Sequence, residues 1–160
     1  MPADDCAVSP QPQDGRPAVQ HFESSELLYR RFLKPHFEAD RLLPAAFAFP
    51  RQSFNRGRFS RAEDVIHSHC GDSPGSDFSG WGVMHCCVAD LPGHVAAGDG
   101  KQYCFFAKHV PLPTCYAHSE LWCALSADPE RNYREPSTIV KEKLRIALAR
   151  SLVVLIAAQR

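Results

Sequence analysis

The sequence lacks an excess of charge of either sign. Lys and Arg together number 18, as do Asp and Glu, so the formal net charge at neutral pH is zero. Proteins that bind nucleic acid through its phosphates usually carry a surplus of basic residues. The balance therefore favours a protein partner over nucleic acid, although four arginines crowd one segment: Arg51, Arg56, Arg58 and Arg61.

The sequence also lacks a long apolar run. The longest, Leu152–Ala158, is far shorter than the roughly 20 residues that a membrane-spanning helix needs. The N-terminus has neither the basic nor the apolar region of a signal peptide. The cysteines number seven, and an odd count argues against a framework of disulfides. We therefore expect a cytoplasmic protein with free thiols and no membrane contact.

The length of 160 residues suits a single domain with its own core. Residues 1–20 contain four prolines among Asp, Gln and Ser, with few large apolar side chains. That composition is typical of a disordered arm. The sequence thus predicts an N-terminal arm over residues 1–20 and one domain over residues 21–160.

A first helix is predicted near the start of this domain. Ser24 or Ser25 can cap a helix that runs through Leu33 and that Pro35 stops. Leu28 and Phe32 are one turn apart in such a helix and would face the core.

A second helix is predicted at the C-terminal end of the chain. It starts at about Ser137, and Val140, Leu144 and Leu148 trace one apolar stripe along it. The pattern leaves Leu152–Ile156 open, because these residues either continue the helix or, being rich in Val and Ile, form a short strand.

Several runs between the two helices read as strands. Short apolar runs bounded by turn residues mark Trp81–Ala89, Lys101–Val110 and Glu120–Leu125, and Ser53–Phe59 is a further extended piece. The predicted fold class is α+β: one small domain with an antiparallel sheet of about four to five strands, flanked by an N-terminal and a C-terminal helix.

The candidate site lies in the segment Phe106–Cys123, which is rich in His, Cys and aromatic residues. His118 and Glu120 are two residues apart, so they project on the same side if the strand already begins at His118. Together with His109 they can act as acid and base without a metal, as some nucleases and phosphodiesterases require. Trp122 shares their face and offers a ring on which a base can stack.

Phosphate binding in such an enzyme is assigned to Arg56 and Arg58, because a guanidinium makes two-point contacts with phosphate. A structural alternative accounts for the same residues. In it, His118 bonds to the backbone of a loop and Glu120 pairs with an arginine, so neither performs chemistry.

We expect no cofactor, and zinc is the alternative to that expectation. Cys115 and His118 are spaced as zinc ligands often are, and His67, His69 and Cys70 supply further ligand types. No second pair repeats a recognised spacing, so the pattern is not diagnostic. A Cys115–His118 nucleophilic pair is weaker still, since such partners are usually distant in sequence.

Two runs, NRGRFSRAEDVI (55–66) and KHVPLPTCYAHSELW (108–122), resemble those of small uncharacterised bacterial proteins associated with mobile or antiviral-defence gene clusters. The resemblance extends from about Ser25 onward. Cys115 departs from it, because Asn stands before the Tyr in those proteins. The resemblance implies a bacterial, defence-associated context, but it carries no catalytic motif and so transfers no residue roles.

The sequence therefore predicts a non-enzymatic accessory or binding component of a bacterial multi-gene system. It would act through a protein partner or a small ligand. The alternative is a small metal-independent nuclease or phosphodiesterase that uses His118, His109 and Glu120.

Overall fold

A computed structural model describes residues 16–49, 51–67, 77–78, 80–112, 115–126 and 137–159. The strands in this part of the chain are β1 (Leu27–Phe32), β2 (Phe37–Glu38), β3 (Arg41–Leu42), β4 (Arg51–Arg56), β5 (Gly82–Cys87), β6 (Val95–Ala96), β7 (Gln102–His109), β8 (His118–Leu125) and β9 (Val153–Ile156). The α-helices are α1 (Asp64–His67) and α2 (Thr138–Ser151). Short 3-10 helices span Lys34–His36, Pro44–Ala46 and Val88–Asp90.

Seven of the strands form one antiparallel sheet in the order β6-β7-β8-β4-β1-β5-β9, which curls into a half-barrel. The joint between β1 and β4 is short, with two residue pairs where β1 and β5 have six. Beyond this joint, Nη1 of Arg30 donates a hydrogen bond of 2.9 Å to the carbonyl oxygen of Ser53. Burial, helped by the charge of Arg31, lowers the pKa of Arg30 to about 10. A buried guanidinium thus connects β1 and β4 beyond the point where their backbone pairing ends.

Helix α2 packs on one face of the sheet, which we call the core face; the opposite side is the outer face. Ser137 caps the helix by accepting a hydrogen bond from the backbone N–H of Val140. Because side chains alternate along a strand, every second residue of each strand projects to the side of the sheet on which the helix lies. The buried members of this core include Leu28, Phe32, Phe54, Met84, Leu121, Cys123, Val140, Leu144 and Leu148.

The predicted fold class is wrong in two respects. The sheet has seven strands rather than four or five, and the predicted N-terminal helix is strand β1. Leu28 and Phe32 are four residues apart, an even spacing that also places them on one face of a strand. Aromatic Tyr29 and Phe32 favour a strand, and pairing along the whole of β1 with β5 outweighs the capping signal of Ser24.

The C-terminal end of the domain combines both structures that the pattern left open. Helix α2 ends at Ser151, and Val153–Ile156 then form β9, which pairs with β5 at the edge of the sheet. The β-branched side chains of Val153, Val154 and Ile156 explain this change, since they are stiff in a helix and fit a pleated surface.

Gly82 is the first residue of β5 and lies against Phe32 and Ile156. A substitution there tests the packing of the sheet. A Cβ there would lie 2.4 Å from Cζ of Phe32 and 2.6 Å from the carbonyl oxygen of Ile156. Because a backbone oxygen cannot move without disturbing β9, we expect Gly82→Ala to lower the free energy of unfolding by about 1–3 kcal/mol. Urea denaturation measures this change.

Gly93→Ala is the matched control, since nothing lies within 4 Å of a Cβ at that position. Its free energy of unfolding is expected to stay within about 0.5 kcal/mol of the unsubstituted protein. Equal stability of the two variants would contradict the packing described here.

Candidate functional site

Arg56, at the end of β4, is fully buried. Its Nε and Nη2 donate to the two carboxylate oxygens of Glu26 at 2.6 and 2.7 Å, the two-point geometry of a strong ion pair. Nη2 also donates to the carbonyl oxygen of His21 at 2.7 Å, and Nη1 donates to that of Val19. Arg56 therefore joins the segment before β1 to the centre of the sheet.

Aromatic rings enclose this ion pair. The guanidinium carbon of Arg56 lies 3.8 Å from the ring centre of Phe22 and 5.1 Å from that of Phe59. Phe59 in turn stacks on the ring of His109 at 5.3 Å and meets the edge of Tyr116 at 4.8 Å. We call this group the Arg56 cluster; its members are Phe22, Glu26, Arg56, Phe59, His109 and Tyr116.

His109 has both ring nitrogens engaged by the backbone. The N–H of Val19 donates to Nδ1 at 2.8 Å, and Nε2 lies 2.7 Å from the carbonyl oxygen of Tyr116. Because a carbonyl oxygen only accepts, the proton resides on Nε2, and Nδ1 keeps the lone pair. Burial above all, with the charge of Arg56 adding to it, lowers the pKa of His109 against the opposing effect of the Tyr116 hydrogen bond. The ring is thus held neutral.

His118 is also fully buried and engaged on both sides. Its Nδ1 donates to the carbonyl oxygen of Val110 at 2.7 Å, which leaves Nε2 to accept from the hydroxyl of Ser53 at 3.1 Å. Burial is the main cause that lowers the pKa of His118; the charge of Arg51 acts in the same direction. This imidazole is the opposite tautomer to that of His109.

Glu120 is buried and has two partners. Its carboxylate lies 3.2 Å from Nη1 of Arg51 and accepts a hydrogen bond of 2.9 Å from Nε1 of Trp122. Together with the bond from His118 to the backbone, these contacts match the structural alternative for the two residues, in which each serves the fold.

The predicted catalytic set is divided between the two faces of the sheet. His109 of β7 pairs with Ser119 of β8, so these two residues project to the same side of the sheet. His118 is next to Ser119 along β8 and therefore projects to the opposite side. Glu120 shares the outer face with His118. Arg56 pairs with Leu28 of the core and lies beside His109 at the end of the core face. The catalytic assignment of these residues remains a prediction.

Arg58 borders the Arg56 cluster through Phe59 but is not buried in it. It is exposed, and its guanidinium carbon lies 5.4 Å from the ring centre of Phe59. The phosphate-binding pair of the sequence prediction thus consists of one buried arginine with a carboxylate partner and one exposed arginine.

The zinc alternative falls largely outside the described residues. His69 and Cys70 are not among them, and neither is the side chain of His67. The Sγ of Cys115 lies 3.8 Å from Oδ1 of Asn55. Within the ranges that the structure describes, no three His, Cys, Asp or Glu side chains are placed to hold a metal ion.

The cysteines in the described ranges are free thiols: Cys86, Cys87, Cys104, Cys115 and Cys123. Burial raises the pKa of both Cys86 and Cys123 to about 12. These two thiols therefore stay protonated at neutral pH and serve as small core side chains.

The segment assigned to the N-terminal arm is described only in part. Residues 1–15 lie outside the described ranges, whereas residues 16–20 lie against the Arg56 cluster. The hydroxyl of Tyr116 donates to the carbonyl oxygen of Pro17 at 2.7 Å, and Arg16 stacks on the same ring at 3.8 Å. The side chain of Gln20 bonds to the backbone of His109.

Sequence reasoning missed Glu26, the partner of Arg56. The two residues are 30 positions apart, and no motif spacing connects them. Glu26 directly precedes the apolar Leu27, but Arg56 stands between Asn55 and Gly57, so no local signal marks the pair.

Comparisons with known proteins find no match. No family model, no curated protein and no solved structure matches the chain. No helix in the described ranges is long and apolar enough to cross a membrane. The site is therefore interpreted from its own geometry.

The two neutral histidines predict how stability depends on pH. Burial places their folded pKa values below the value of about 6.5 that an unfolded histidine has. In that window the unfolded chain binds more protons than the folded chain, so stability is present above about pH 6.5 and is lost as the pH falls through the folded values. We therefore expect the urea concentration at the midpoint of unfolding to decrease as the pH is lowered from about 7 to about 5.

Two substitutions separate this effect from other titrations. His109→Gln is expected to flatten part of the profile, whereas His94→Gln, at an exposed position, leaves it unchanged. A midpoint that does not change with pH in the unsubstituted protein would show that the imidazoles are not held neutral.

Proposed function

We propose that this chain is a non-enzymatic binding component that acts through a protein partner or a small ligand. The observation that supports the proposal most is the use of the candidate catalytic side chains within the fold. His109 and His118 each have both ring nitrogens bonded to groups of the chain itself, and Glu120 is paired with Arg51 and Trp122.

Catalysis by these imidazoles would require a costly rearrangement. A general base has to come within hydrogen-bond reach of the proton that it takes, yet the exposed fractions of His109 and His118 are 2% and 0%. Freeing either ring leaves its present partners unsatisfied in the interior, at about 1–3 kcal/mol for each buried group. One phosphate would also have to reach two rings on opposite faces of the sheet.

The wider context of the proposal comes from the resemblance in residues 55–66 and 108–122. It supports an accessory role in a bacterial multi-gene system, with antiviral defence as the proposed process. The nuclease or phosphodiesterase alternative is not adopted, because it depends on the rearrangement just described.

Hydrolysis assays distinguish the two functions. We expect no cleavage of single-stranded RNA, single-stranded DNA or bis(p-nitrophenyl) phosphate above the level of a buffer control, with or without added divalent cations. The readouts are product bands on a gel and release of p-nitrophenol.

Cleavage that disappears in a folded His118→Ala variant would overturn the proposal in favour of the nuclease. Because that variant can fail to fold, Glu120→Gln provides a second test, and circular dichroism checks both. Cleavage that persists in both variants points to a contaminating nuclease and leaves the assignment of a non-enzymatic protein intact.

A further inference from the structure

Two aromatic and two basic side chains lie together on the outer face of the sheet, on strands β4, β7 and β8. Phe106 of β7 pairs with Trp122 of β8, and Trp122 pairs with Arg51 of β4. Because paired residues project on the same side, these three form one row across three strands. Lys108 lies in the next row, paired with Glu120. We call Arg51, Phe106, Lys108 and Trp122 the aromatic platform.

The cations of the platform lie over its rings. The Nζ of Lys108 is 5.5 Å from the ring centre of Phe106 and 5.4 Å from that of Trp122. The guanidinium carbon of Arg51 is 5.3 Å from the ring centre of Trp122. All four side chains are half-buried, so each keeps part of its surface in contact with solvent.

The two cations differ in their ionic partners. Glu120 is paired with Arg51 and also accepts the indole N–H of Trp122, so it compensates the arginine and fixes the orientation of the ring. Lys108 has no ion pair or hydrogen bond from its side chain to any residue in the described ranges. The ammonium of Lys108 is therefore the uncompensated charge of the platform.

This arrangement suits a ligand that has a flat ring and one anionic group. A base can stack on an aromatic side chain whatever its sequence identity, because every base has a π-face. The ammonium of Lys108 gains a charge-assisted hydrogen bond when it leaves the rings for a phosphate oxygen. The rings that it uncovers are then open to the base.

We propose that the aromatic platform binds a nucleobase together with its adjacent phosphate. The base stacks on Trp122 and Phe106, and the phosphate pairs with Lys108. The inference rests on the proposed function, because it names the ligand class of a binding protein. A net charge of zero agrees with a site that engages a single phosphate.

The test uses the fluorescence of Trp122 in the full-length chain. The protein has two tryptophans, so a Trp81→Phe background makes Trp122 the reporter. Adenosine monophosphate and a hexamer of deoxyadenylate are titrated separately. Saturable quenching by the mononucleotide identifies a free nucleotide as a sufficient source, and quenching by the hexamer alone identifies a single strand; both results support the platform. No quenching by either probe overturns it.

Variants in the same background locate the ligand. Lys108→Ala is expected to weaken binding about tenfold, the loss of one charge-assisted contact, and Phe106→Leu at least fivefold through lost stacking. Lys101→Ala, an exposed lysine just before β7, is the matched control and is expected to bind as tightly as the background protein. Equal affinity in Lys108→Ala and Lys101→Ala would contradict the assignment of the phosphate.

Salt dependence gives an independent readout. One phosphate contact predicts a slope of log affinity against log salt of about −0.7. A slope several times steeper overturns the single-phosphate site. Loss of this inference leaves the non-enzymatic assignment untouched, since hydrolysis assays decide that separately.

Discussion

The buried ion pair between Arg56 and Glu26 is the interaction on which the arrangement of the site depends. Two charges removed from water destabilise a fold unless their remaining hydrogen-bonding groups are satisfied. Here the carbonyl oxygens of Val19 and His21 accept hydrogen bonds from the guanidinium of Arg56. The rings of Phe22 and Phe59 lie beside it. The pair therefore requires the segment before β1 to stay on the sheet. That segment supplies the N–H that Nδ1 of His109 accepts, so the same contact keeps this histidine neutral.

The polar groups of the site are divided between the two faces of the sheet. On the core face, Arg56 and His109 are engaged in contacts with other parts of the chain. On the outer face, His118 and Glu120 are bonded within the sheet, whereas Lys108 rests on two rings and has no counter-ion in the described ranges. Chemistry that needs a free imidazole would have to break these contacts, and the use that we propose for the remaining groups is recognition of a flat anionic ligand.

Local patterns in the sequence predict the strands β5, β7 and β8 and the helix α2, because short apolar runs and a 3.6-residue stripe are properties of neighbouring residues. They fail for β1, since the spacing of Leu28 and Phe32 fits a helix and a strand equally well. They also fail for the site. Whether His109 and His118 share a face depends on the register of β7 against β8. The partner of Arg56 is Glu26, which directly precedes β1 and is distant in sequence. Neither fact is encoded in a local pattern.

The most direct test of this account is a double-mutant cycle on Arg56 and Glu26, read by urea denaturation. Arg56→Met and Glu26→Gln are each expected to cost about 3–5 kcal/mol of unfolding free energy, because each leaves a buried charge without its partner. The double variant is expected to cost clearly less than their sum, while Arg58→Met, at an exposed position, stays within about 0.5 kcal/mol. Small, additive losses would contradict the central role of the ion pair.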